Sequence, residues 1–287
     1  MTDARKKQIA SALGVFCQEC GSQNSAANKL NGVSSATISQ ILNGNWENIA
    51  DGMWTRIAKQ TGTNEQWVFA YDTETAKRFR MYFGDAQRHS MVHAIVEREG
   101  GGKTESAKKY CAENANAWLI NCAEYFNRKV FLAHILQAMG KDSSGSAAEM
   151  MDSIIYNVEG ADEPLLMFDE VDKLPDPVLS FFITLYNKLE DKCGIVLMAT
   201  DHLAKRIEKG RKLNKRGYKE IFSRIGRRFV DIMPKNKETF LKEDISKILR
   251  ANGIENTLQI TEITNLSDYD FRRVKKLVYA TKQKEAA

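Results

Sequence analysis

The chain has 287 residues, of which 43% are hydrophobic and 28% charged, and its formal net charge is +5. Those proportions describe an ordinary soluble globular protein, long enough for one large domain or two to three small ones. No apolar run approaches the ~20 residues that a bilayer span needs, and Met1 to Phe16 lacks the apolar stretch and cleavage site of a signal peptide, so a cytoplasmic protein is expected. Five cysteines without framework spacing fit reduced thiols. Cys17 and Cys20 form a lone CxxC with no second ligand pair, which reads as two cysteines on adjacent turns of a helix rather than zinc ligands.

The first seventy or so residues predict short helices. Ile9, Leu13 and Phe16 recur at a helical period. Ala26, Ala27 and Leu30 share a face, Gly32 breaks the chain, and Ser34 or Ser35 can cap a second helix carrying Ile38, Ile41 and Leu42. A further amphipathic helix is expected in the stretch beginning Met53-Trp54. Two short helices joined by a tight glycine-containing turn make a helix-turn-helix. Its second helix would present Ser35, Thr37, Gln40 and Asn43, short polar groups suited to base edges and phosphates in a major groove. The run "ANKLNGVSSATISQIL" resembles the Cro/repressor-type helix-turn-helix, with one extra residue, Asn31, in the turn; a helical bundle that binds protein is the alternative.

Alternation then sets in. Strand "MVHAIV", a glycine loop, helix "KTESAKKYCAEN", strand "AWLINCA" and helix "NRKVFLAHILQAMG" are followed by a polar stretch from Lys141. Strand "PLLMFDE", helix "PVLSFFITLYNKLED" and strand "GIVLMAT" complete the series. Apolar, β-branched strands alternating with helices predict an α/β fold with a parallel sheet covered on both faces. From about Pro234 the chain returns to helices. The expected division is a helix-turn-helix domain at 1–72, an α/β core at 73–234 and a small helical domain, a lid, at 235–287.

The glycine loop matches the tail of the phosphate-binding pattern G-x-x-x-x-G-K-[ST], but Glu97 stands where its first glycine belongs. The strand-loop-helix context is the one the chemistry requires. Backbone N–H groups of Gly100, Gly101, Gly102 and Lys103 at a helix N-terminus favour phosphate. Lys103 is expected on the β- and γ-phosphates of ATP, with the Thr104 hydroxyl on Mg²⁺ and Glu105 in the first turn beside the nucleotide. The missing glycine mainly serves the strand's turn, so the Glu97 side chain is expected to face away from the phosphates. Sixty-five residues after Thr104, an apolar strand ends in Asp169-Glu170. That is the Walker B arrangement, with Asp169 toward Mg²⁺ and Glu170 polarising the attacking water.

Further features resemble the AAA+ P-loop NTPase class. Thr200 ends the next strand where that class has sensor 1. "IFSRIGRRF" resembles its arginine-finger box, with Arg224 first and Arg227 or Arg228 next, which implies a ring or filament of copies. "YDFRRVKKLV" resembles sensor 2, with Arg272 on the nucleotide. The order of domains looks like the MuB family of transposition ATPases. That resemblance implies ATP-dependent assembly as a filament on double-stranded DNA without marked sequence preference, and delivery of that DNA to a DDE transposase.

Charge points the same way. Residues 201–230 hold eleven Lys and Arg against three acids, an excess larger than that of the whole chain. Lys209, Arg211, Lys212, Lys215 and Arg216 are the expected phosphate contacts. A helicase-loader-type replication ATPase and an ATP-switched transcriptional regulator are the rival readings.

Overall fold

The computed structural model describes residues 3–61, 67–233 and 236–285. The chain divides into two units, Met1–Val68 and Phe69–Ala287; the expected core–lid boundary at 234–235 lies outside the described residues.

The first unit holds α1 (Asp3–Glu19), α2 (Gln23–Lys29), α3 (Ser35–Leu42) and α4 (Asp51–Gln60). Their apolar stripes meet in one core of Ile9, Leu13, Cys17, Ala26, Leu30, Ile38, Ile41, Trp54 and Ile57. Phe16 is only half-buried, and Cys17 takes the place expected of it. Ser34 is the residue that caps α3, its hydroxyl accepting from the Thr37 N–H at 3.1 Å. The turn between α2 and α3 passes through Gly32 at φ +71°. Asn31 there is braced by α4: its N–H donates to Gln60 at 2.6 Å and its carbonyl accepts from the same amide at 3.1 Å.

The second unit is built on five parallel strands, β1 (Val92–Val96), β2 (Ala117–Asn121), β3 (Leu165–Asp169), β4 (Gly194–Ala199) and β5 (Val230–Asp231). They lie in the order β2-β3-β4-β1-β5. The central strands β3 and β4 are buried along their whole length, as sheets covered on both faces require. Side chains alternate between two cores with the period of the pleat. Leu166, Phe168, Ile195 and Leu197 pack on α7 (Arg128–Ala138), α8 (Ala147–Glu159), α9 (Asp176–Leu189), α10 (Asp201–Lys212) and α11 (Tyr218–Arg224). Leu165, Met167, Val196 and Met198 pack on α5 (Glu74–His89) and α6 (Lys103–Glu113). At Gly194 the main chain of α5 comes so close that a Cβ would lie 2.2 Å from the Ala86 carbonyl oxygen.

The stretch expected to be merely polar after Lys141 contains α8. Its start is a capping box between Ser146 and Glu149, and Met150, Met151, Ile154 and Val158 form its buried stripe. At the C-terminus α12 (Lys237–Ala251), α13 (Thr257–Ser267) and α14 (Phe271–Glu285) form a three-helix lid, one helix more than the sequence led us to expect. The fully buried Asp244 of α12 ties that lid to the core. Its carboxylate accepts from the N–H groups of Glu74 and Thr75 at 2.7 and 3.0 Å and from the Thr75 hydroxyl at 2.5 Å. No helix among the described residues is long and apolar enough to cross a membrane.

Candidate active site

Strand order brings the site together. β1 lies between β4 and β5, and β3 lies beside β4, so the loop after β1, Asp169 at the end of β3 and Thr200 after β4 share the carboxyl edge of the sheet. Open α/β sheets bind ligands at that edge, where the strand order reverses. A crevice of about 800 Å³ opens there, lined by Glu97, Arg98, Thr200, Asp231, Tyr269 and Asp270 among others.

Lys103 begins α6 immediately after Gly102, whose φ is +83°. Its ammonium donates to the carbonyls of Glu97 and Arg98 at 2.6 and 2.8 Å. Burial lowers its pKa, against the pull of Asp169, Glu97 and Asp172. The Thr104 hydroxyl donates to Asp169 at 2.5 Å. Asp169 is 1% exposed. Burial raises its pKa, opposed by the Thr104 hydroxyl, the Glu170 N–H and Lys103. A hydroxyl and a carboxylate in contact, beside an ammonium held by two neutral carbonyls, is a donor set that suits Mg²⁺ and phosphate.

Glu97, at the head of the loop, is buried. Its side chain is 3% exposed and folds beneath Gly101, where a Cβ would lie 2.7 Å from its Cγ. One carboxylate oxygen accepts from the Arg98 N–H at 3.0 Å. Burial raises the carboxyl's pKa above the usual range, against that N–H and the charges of Lys103 and Arg98.

The lid reaches the same loop. The Phe271 N–H donates to the Gly100 carbonyl at 3.2 Å, and Arg98 donates to the Tyr269 carbonyl. A Cβ on Gly100 would lie 2.3 Å from the Asp270 carboxylate, and one on Gly102 would lie 3.1 Å from the Phe69 ring. These glycines therefore admit close neighbours from both ends of the unit. Asp270 lies in the run that resembles sensor 2, where Arg272 alone was given a role, and Phe69 lies in no motif.

Glu170 has φ +56° and pairs with Lys173 at 2.7 Å. The Thr200 hydroxyl donates to Asp172 at 2.7 Å, so Asp172, overlooked in the sequence, positions it. Glu105 lies in the first turn of α6 and pairs with Lys108 at 3.0 Å. Arg272 is exposed at the start of α14, and its charge contributes to the lowered pKa of Lys103.

The remaining expected residues divide by exposure. Arg224 keeps its guanidinium on its own chain, 5.0 Å from the Tyr186 ring centroid and 4.0 Å from Glu190, whereas Arg227 and Arg228 are exposed. Lys209, Lys212, Lys215 and Arg216 are exposed, and Arg211 is half-buried. Arg206, counted in the basic run, points inward to Asp176, Tyr218 and the carbonyls of Asp172 and Leu174. On α3 Gln40 is exposed, as is Asn43 just after its end, while Ser35 and Thr37 are half-buried.

The AAA domain family matches residues 87–207, the stretch from the end of α5 through β1, β2, β3 and β4 into α10. The chain carries an AAA domain and is an ATPase. It resembles the ATP-dependent target DNA activator B of Escherichia phage D108, at 24% identity over 248 residues covering 80% of this chain and 74% of that one. It resembles the protein of the same description from Escherichia phage Mu at 24% identity over 214 residues, 69% of this chain and 64% of that one. Among solved structures, Cdc6p from Pyrobaculum aerophilum shares the fold of this ATPase. The TM-score is 0.51 and the identity 16%, over 78% of this chain and 65% of that one.

Proposed function

We propose that this AAA+ ATPase assembles on double-stranded target DNA when it holds ATP and Mg²⁺, and delivers that DNA to a DDE transposase. The observation that carries the nucleotide half is the contact of Thr104 with Asp169 beside Lys103 at the carboxyl edge of the sheet. Similarity to the phage D108 target DNA activator over 80% of the chain supports the target-DNA half.

In this reading Lys103 leaves the two carbonyls for the β- and γ-phosphates, and the N–H groups from Gly100 to Lys103 orient them, with Glu105 close by. Thr104 and Asp169 hold the metal ion. Bound Mg²⁺ supplies positive charge where the transferred phosphoryl group becomes more negative. Glu170 exchanges Lys173 for a water and accepts its proton, while Thr200 orients that water. Arg272 approaches the nucleotide from the lid. Arg224 must swing off Tyr186 to reach a neighbouring copy; exposed Arg228 needs no such movement.

The exposed cations Lys209, Lys212, Lys215 and Arg216, with Arg211, meet DNA phosphates. Ser35, Thr37, Gln40 and Asn43 of the helix-turn-helix offer a second contact, of which Gln40 and Asn43 are the more accessible. The protein would act in the cytoplasm, on DNA.

Negative-stain microscopy with random-sequence duplex, with and without ATP and Mg²⁺, tests the proposal beside a Lys103→Ala control. Filaments or rings that need ATP and vanish in the variant are expected. Dispersed particles indifferent to ATP would overturn the reading.

A further inference from the structure

The basic run does not act as one uniform surface. Arg206 is consumed by the fold, Lys205 pairs with Asp201 at 2.5 Å and Lys215 lies 3.9 Å from Asp176. What remains is gathered elsewhere. On α10, Glu208, Arg211 and Lys212 are spaced to share one helical face. On α11, Lys219, Phe222 and Ser223 have the same spacing. The two faces meet around a pocket of about 410 Å³, completed by Arg227.

Three features make it more than a charged surface. Arg211 lies over the Phe222 ring, its guanidinium carbon 3.7 Å from the centroid. Stacking fixes the plane of the guanidinium and leaves its N–H edge for a planar or tetrahedral anion. Arg227 has φ +58°, and its N–H returns to the Phe222 carbonyl at 2.8 Å. That left-handed turn, strained for a side chain of this kind, brings a second arginine back beside the stacked one. Finally, among the described residues Arg211, Lys212, Lys219 and Arg227 have no ion-pair partner within 4.0 Å. Four cations therefore face one carboxylate, Glu208, across the pocket.

We propose that this pocket between α10 and α11 is a phosphate clamp that grips one or two phosphodiesters of the DNA backbone, with Arg211 and Arg227 as forks and Lys212, Lys219 and the Ser223 hydroxyl as further donors. It rests on the DNA-binding reading above and narrows it. Lys219, Ser223 and Arg227 join the interface, and Lys215 and Arg216 become peripheral.

The experiment is a fluorescence-anisotropy titration of labelled random-sequence duplex, with ATP and Mg²⁺, at several salt concentrations between about 50 and 200 mM. The parent is compared with a Lys212→Ala/Lys219→Ala double variant, with Lys215→Ala/Arg216→Ala, whose peripheral cations should cost less, and with Lys141→Ala/Lys188→Ala, exposed and outside the basic run, as control; circular dichroism checks that each is folded. For the first pair, affinity should fall roughly tenfold or more, equally on all sequences, and the slope of log K against log salt should flatten by about 0.9 per lost phosphate contact. Ser223→Ala, a change too small to disturb the helix, should weaken binding without altering the slope.

Flattening confined to the Lys215/Arg216 pair overturns the clamp and leaves DNA binding intact. A parent that binds no duplex overturns both.

Discussion

Two carboxylates crowd the glycine loop, and each makes a measurable demand on it. Burial raises the Glu97 pKa. A carboxyl that is harder to ionise when folded contributes most below its ordinary pKa of about 4.3, and that contribution is lost as pH rises through the folded value. Glu97→Gln should therefore be more stable than the parent at neutral pH without nucleotide, with the difference closing as the solution is acidified below about pH 4. Melting temperatures of both proteins across that range would show it, and a gap independent of pH would refute it. Asp270 is the other carboxylate, pressed on Gly100 while its oxygen caps α14 by accepting from the N–H groups of Arg272 and Arg273 at 2.7 and 3.2 Å. Asparagine keeps that cap and removes the charge facing incoming phosphates. Asp270→Asn should bind nucleotide about fivefold more tightly, from roughly 1 kcal/mol of relieved repulsion. Titration with a fluorescent ATP analogue decides, and unchanged affinity would count against any contact between nucleotide and lid.

The lid is an element whose attachment depends on one side chain. The buried Asp244 of α12 supplies acceptors for two orphan N–H groups at the start of α5 and for the hydroxyl of buried Thr75. Removing it leaves buried donors unsatisfied, at about 1–3 kcal/mol each in the worst case. Asp244→Ala is expected to lower unfolding free energy by about 2–4 kcal/mol and to raise hydrogen exchange at residues 74–76 and along α12. Denaturant melts and exchange mass spectrometry read the two effects. An unchanged midpoint would mean that α12 stays docked by its apolar face of Leu241, Ile245, Ile248 and Leu249 alone.

At the scale of the molecule, hydrolysis and assembly should separate at Glu170. Its pairing with Lys173 is solvent-accessible and weak, so Glu170→Gln should leave folding and nucleotide binding unchanged. Turnover should fall about 10²–10⁴-fold if the carboxylate is the general base. Assemblies on DNA formed with a limited supply of ATP would then persist, where those of the parent disperse as the ATP is consumed. Phosphate release and sedimentation of DNA-bound protein measure the two halves. Turnover equal to that of the parent would remove Glu170 from its proposed role.

Much of this was readable along the chain, because the features concerned are local. Lys103-Thr104 after a strand and Asp169-Glu170 at the end of another are short runs whose letters carry their own geometry, and short apolar, β-branched runs between helices announced β1, β2, β3 and β4. The helical period of Met150, Met151, Ile154 and Val158, and the Ser146–Glu149 capping box, were equally local and were hidden only by polar surroundings. β5 is two residues long, too short for any period. The sequence by itself thus determined the strands that build the site and the residue types at its centre. Tertiary structure alone decided which charges face inward and which face out. Arg206 and Lys219 look alike in the basic run, yet one is locked to Asp176 and the other lines an open pocket. Asp244 and Asp270 meet α5 and the glycine loop across some 170 residues of chain. Such pairings depend on how helices pack, and no periodicity within a single segment encodes them.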